Sequence, residues 1–183
     1  MSKITPKQVN SIKRKLGILL CKQGEDFLKS AFHIKPKVFD SRDVMNFLRD
    51  ITGLPAGTIS LSDRKYYLTD WQTLKQIIEV DWTEKKKWLR DKYDCDNHAF
   101  YFAARVGLLF DLNSMGVCYG TIYNAKTNEY IGGHAFCMPI TYENNKLNLY
   151  CLESQTDKSC LVEKGKDTII GKWRYEFNWQ IYF

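Results

Sequence analysis

Three short stretches of this 183-residue chain carry side chains suited to nucleophilic chemistry. In Tyr93-Asp-Cys-Asp-Asn-His-Ala99, a cysteine stands where a polar run gives way to helical spacing. Ala99, Phe102, Ala103, Val106 and Phe110 recur at three- and four-residue steps, one apolar stripe of a helix. Asp94 suits the N-cap and Cys95 the first turn, where unpaired N–H groups and the helix dipole favour thiolate over thiol. Gly132-Gly-His134-Ala-Phe136 places a histidine in a strand-like run, and Leu149-Tyr-Cys-Leu-Glu153-Ser-Gln155 ends another strand in a carboxylate. Cys95, His134 and Glu153 therefore supply a nucleophile, a base and an orienting acid, the set that thiol-dependent acyl chemistry needs. His98, three residues past Cys95, competes for the role of base but would share the nucleophile's helix. Cys95 also has a plain reading, as one structural thiol among six, and Glu153 as an ordinary strand-end carboxylate.

Before the Cys95 helix, the pattern is mainly helical. Thr5-Pro6-Lys7-Gln8 reads as a capped start, followed by an apolar stripe of Val9, Ile12, Leu16, Leu19 and Leu20 opposite Lys13, Arg14, Lys15 and Lys22. Asp40 suits the cap of a second helix that Gly53 and Pro55 stop, and Ile59-Ser-Leu61 a short strand. Thr69 is expected to cap a third helix, and Thr83 a fourth over 84–91. After Phe110, the runs 117–123, 131–141, 147–153 and 173–183 are rich in Val, Ile, Tyr, Phe and Trp and are parted by turn signals, which predicts an antiparallel meander. Helices first and strands later indicate an α+β domain. We expect a single domain over 1–183, with 1–80 a mainly helical extension and 81–183 the core that carries the site.

Composition narrows the class. A hydrophobic fraction of 44% suits a globular chain, and no apolar run reaches the ~18 residues of a membrane span. The start lacks a secretory signal, which points to a cytoplasmic protein with reduced cysteines and no membrane partner. The six cysteines include no CxxC pair, so a zinc ribbon is not indicated. The net charge of +6 lies wholly within residues 1–40, a solvated helix face in its simplest reading, which makes nucleic acid an unlikely partner. Asp94 and Asp96 beside the cysteine serve helix capping or, in a sharper reading, a hard cation.

Taken together, Tyr-Asp-Cys-Asp-Asn-His-Ala, Gly-Gly-His-Ala-Phe and Leu-Glu-Ser-Gln-Thr-Asp resemble the catalytic blocks of papain-like and transglutaminase-like cysteine enzymes. The similarity spans roughly Trp82 to Asp157 and is greatest to the protease domain at the C-terminus of a fungal chimeric agglutinin, with relatives in phages and bacteria. The resemblance implies a papain/transglutaminase-like fold, with the nucleophile's helix packed on an antiparallel sheet. It implies a cysteine peptidase-type hydrolase that cleaves a peptide or protein amide through an acyl-enzyme on Cys95, His134 and Glu153. No cofactor is required, although calcium supports the agglutinin's protease, which makes Asp94 and Asp96 candidate ligands. The glutamine that papain-like enzymes place just before the cysteine is missing, leaving Gln155 as a candidate oxyanion donor. Two alternatives stay open: acyl transfer to an amine, and a non-catalytic binding module that retains the fold.

Overall fold

The computed structural model describes residues 6–183, and the side chains of 12–17 and 19–183, so the expected Thr5 cap lies outside the described residues. The chain divides into two compact units, 1–33 and 34–183.

The first unit is one helix, α1 (Pro6–Ala31), which runs through Gly24 without a break. Ile12, Leu16, Leu19 and Leu20 do form a stripe, but each remains more than half exposed, so this face is not buried as a core face would be.

The second unit begins with β1 (Lys37–Asp40), α2 (Ser41–Thr52), β2 (Ile59–Ser60), β3 (Lys65–Leu68) and α3 (Trp71–Val80). Gly53 ends α2 at φ 72°, a left-handed conformation that glycine adopts at little cost. The third helix starts one residue later than expected: Asp70, not Thr69, is the cap, its Oδ1 accepting the Thr73 N–H at 2.9 Å. The helix expected over 84–91 is absent. Thr83–Lys85 makes a single 3-10 turn, then Leu89 and Tyr93 form an isolated bridge around Asp91 at φ 57°. That segment has three consecutive lysines and no apolar stripe to bury, so nothing holds it helical.

Then come α4 (Cys95–Phe110), β4 (Met115–Asn124), β5 (Tyr130–Glu143), β6 (Lys146–Glu153), β7 (Lys158–Leu161), β8 (Thr168–Ile170) and β9 (Trp173–Tyr182). A seven-stranded sheet has the order β2-β9-β4-β5-β6-β7, with β8 also on β9, and every pairing except β2–β9 is antiparallel. β1 and β3 form a separate two-stranded sheet. The α+β class stands.

One core joins both halves of this unit. Val44 and Leu48 from α2 and Tyr66 and Leu68 from β3 pack with Phe136, Met138 and Ile140 from β5 and Leu149 from β6. Ala99, Phe102, Val106 and Leu109 give α4 its buried face, and α4 lies against β4 and β5. The helix start is therefore fixed over the strand that carries His134. Burying side chains of this size stabilises by roughly 1.5–3 kcal/mol each.

Candidate functional site

Cys95 is the first residue of α4. Its cap, Asp94, forms a reciprocal capping box with Asn97, so the first turn is tied at both ends. His134 lies on β5 and Glu153 at the end of β6. In the β5–β6 register Leu152 stands opposite Cys137, which brings Glu153 level with Phe136, one pleat repeat from His134 and on the same face. His134 Nε2 donates to Glu153 Oε2 at 2.6 Å, leaving Nδ1 for the Cys95 thiol.

The electrostatics follow from this order. Burial raises the Cys95 pKa, but the hydrogen bond from His134, the Ala135 backbone N–H and the imidazolium charge outweigh it, so the thiol titrates below its usual 9.0. Burial likewise disfavours a charged His134, yet its hydrogen bonds to Cys95 and Glu153 hold it up at about 9. Glu153, buried itself, is kept below the usual carboxylate value by His134, the Gln155 N–H and Tyr175. His134 is therefore charged near neutral pH, with the Glu153 carboxylate behind it, and its charge favours thiolate over thiol at Cys95. The structure thus brings Cys95, His134 and Glu153 together as the sequence suggested.

His98 takes no part in it. It is buried, stacked edge-on against Tyr93 at 4.5 Å between centroids, and neither ring nitrogen has a hydrogen-bond partner. Burial pushes its pKa down and keeps it neutral. Gln155 is turned toward Glu153, its backbone N–H donating to Oε1 at 3.2 Å and its side-chain Nε2 to the same oxygen at 3.4 Å. It buttresses the acid.

Asp94 and Asp96 are committed to the helix start. Asp94 Oδ2 accepts from the Asp91 N–H at 3.2 Å and Asp96 Oδ1 from the Asn97 N–H at 2.8 Å. A hydrogen bond between the two carboxyls lowers the first pKa and raises the second, as when two carboxylates share a proton. Two carboxyls so engaged fall short of the six to eight oxygens that calcium takes. Among the described residues no group of three or more His, Cys, Asp or Glu is arranged to hold a metal.

Three parts of the site escaped the sequence reading. Tyr175 on β9 donates its hydroxyl to Glu153 Oε2 at 3.1 Å. The Ala135 N–H serves the thiol, which no side-chain pattern signals. A cavity of about 450 Å³ opens beside the triad, lined by His134 and Glu153, by Gln155, Thr156 and Lys158, and by Ile170, Trp173 and Tyr175 among others. The alternation of Trp173 and Tyr175 along a strand was the available signal for its aromatic wall.

No family model matches the chain, and no curated protein does. Solved structures do. One, described as a PSL1a–E64 complex, has a TM-score of 0.58 at 16% identity, covering 80% of this chain and 50% of that one. Another, the Polyporus squamosus lectin bound to the human-type influenza-binding epitope Neu5Aca2-6Galb1-4GlcNAc, has a TM-score of 0.54 at 15% identity, covering 80% of this chain and 49% of that one. The chain shares the fold of these lectin structures. It spans about half of their length. This corrects the expected family and function: the likeness runs to lectins, one of them with a bound glycan, where a papain-like or transglutaminase-like peptidase was expected. The hydrolase reading and its peptide substrate are set aside with it. No described helix is long and apolar enough to cross a membrane.

Proposed function

We propose that this chain is a non-catalytic binding module whose ligand is a glycan that carries a carboxylate, seated in the cavity beside His134 and Glu153. The cavity is the observation that carries the reading. It is concave, its wall is largely apolar, and a few polar groups converge on it, as small-ligand sites require. Trp173 and Tyr175 offer aromatic faces to the apolar side of a sugar ring, and Gln155 and Thr156 offer donors and acceptors for hydroxyls. Lys158 and Lys172 supply cations at the rim, with Lys172 Nζ lying 4.5 Å over the Trp173 ring. The sialylated epitope bound by the lectin of like fold has this chemistry.

In this reading, Cys95 backs His134, and His134 and Glu153 line the cavity's inner wall. Their ionised pair sets a fixed dipole beside the ligand, and Glu153 anchors the segment that carries Gln155 and Thr156. The test is a titration of labelled protein with Neu5Aca2-6Galb1-4GlcNAc and with its asialo counterpart, followed by NMR. We expect shifts at the Trp173 indole and the Gln155 amide with the sialylated glycan only. Equal shifts with both sugars, or none at these residues, would overturn the proposal.

A further inference from the structure

Cys151 and Cys160 stand directly opposite each other on β6 and β7. The Val162 N–H bonds to Leu149 O at 2.8 Å, so the Leu149–Val162 pair is hydrogen-bonded. Two steps along the ladder, Cys151–Cys160 is hydrogen-bonded in the same way. Such pairs hold their Cα atoms about 5.5 Å apart, within the span a disulfide bridges. Both are free thiols. Cys151 is fully buried whereas Cys160 is partly exposed. The neighbouring Cys151 thiol and Ile169 backbone N–H favour thiolate at Cys160, while burial first and then the Cys160 contact hold Cys151 well above the usual thiol value.

We propose that Cys151 and Cys160 form a reversible, peroxide-responsive dithiol whose oxidation staples β6 to β7. The Cys160 thiolate attacks hydrogen peroxide, giving a sulfenic acid and expelling hydroxide. The Cys151 sulfur then attacks that sulfenic sulfur and forms the S–S bond. The departing hydroxide takes the Cys151 proton and leaves as water. Two electrons pass from the sulfurs to peroxide, and a dithiol reductant returns them. The closed ring contains Glu153, Gln155, Thr156 and Lys158, four residues that line the cavity. Oxidation would therefore restrain the rim of that cavity. The dithiol chemistry itself does not depend on what the cavity binds.

Trypsin separates the two cysteines, because Lys158 lies between them: Cys151 falls in peptide 147–158 and Cys160 in 159–164. Native protein is exposed to hydrogen peroxide, quenched with N-ethylmaleimide, unfolded and digested without reductant. We expect a linked pair of these peptides, lighter by two hydrogens than their sum, that dithiothreitol separates and the Cys160→Ser variant never forms. Recovery of both cysteines alkylated would overturn the proposal. So would Cys160 as a sulfinic acid with Cys151 free, or Cys151 joined to Cys118. Because the readout is a mass, it stands whether or not the cavity binds a glycan.

Discussion

His134 donates to Glu153 at 2.6 Å, and on its other side its hydrogen bond and charge lower the pKa of the Cys95 thiol. The His134 pKa, held up at about 9 by Cys95 and Glu153 together, gives an imidazolium that favours thiolate at Cys95. In limited alkylation of native protein, Cys95 should label first. Cys118, Cys137 and Cys151 are fully buried, and burial drives their pKa values up. His134→Ala should slow Cys95 labelling about tenfold or more, since one pKa unit corresponds to ~1.4 kcal/mol. His98→Ala should leave it nearly unchanged. Peptide mass mapping decides, and the assignment fails if His98→Ala is the slower variant.

The same pair makes a statement about pH. The raised His134 pKa contributes stability that is fully present below its unfolded 6.5 and lost as pH rises through about 9. The lowered Cys95 pKa contributes stability that is present above its unfolded 9.0 and lost as pH falls through the folded value. Above the folded thiol value the two slopes oppose each other, because the folded and unfolded pairs then bind similar numbers of protons. Wild-type Tm should therefore fall less with rising pH, as far as this pair is concerned, than the His134 shift alone would give. Cys95→Ala removes one partner, and thermal melts of the variant should show Tm falling more with rising pH than in wild type.

Asp157 lies near Glu84 and Asp81, and burial first, then those two carboxylates, lift its pKa to about 7. Its folded-state proton is lost at a cost as pH rises above the unfolded 3.8, so stability declines through about 7. Asp157→Asn keeps the side chain's shape, and asparagine tolerates the left-handed φ of 57° found there. We expect the variant to be more stable than wild type at pH 8, by on the order of 1 kcal/mol after solvent screening, and no more stable at pH 4. Denaturant melts at the two pH values check this.

Arg105 Nε and Asp81 Oδ2 meet at 2.6 Å with both side chains largely buried, behind Trp82 and Tyr101. Arg105→Ala strands a buried carboxylate that also accepts the Thr83 N–H. Removing one partner of a buried pair costs roughly 3–5 kcal/mol. Urea unfolding should show a loss of that order, and a loss below about 1 kcal/mol would mean that the pair behaves as a surface bridge.

The strands were legible because their residues announce them: 117–123, 131–141, 147–153 and 173–183 all lie in or beside observed strands. So were the triad residues, since a capped helix start and two strand positions of the right types are local signals. What the sequence hid was non-local. β1 pairs with β3 across α2, and the four-residue runs that form them have too few alternations to read. Tyr175 reaches Glu153 only because β9 crosses back beside β4. The motif blocks, for their part, suggested a peptidase family, whereas the fold likeness, over 80% of the chain, runs to lectin structures. Short blocks report local geometry, which proteins of different function can share.

Turnover separates a binding module from an enzyme. Incubated with a mixture of unstructured peptides, wild-type protein should give no product that Cys95→Ala fails to give. Cys95-dependent cleavage in the mass spectrum would count against the binding reading.

The most direct measurement is a calorimetric titration of the whole chain with Neu5Aca2-6Galb1-4GlcNAc, beside the same titration of Lys172→Ala and Trp173→Ala. The account predicts saturable binding with a dissociation constant on the order of 1 mM or tighter. It predicts several-fold weakening in Lys172→Ala that disappears at high salt, and loss of binding in Trp173→Ala. An absence of saturable heat in wild type, or binding that both variants leave untouched, would contradict it.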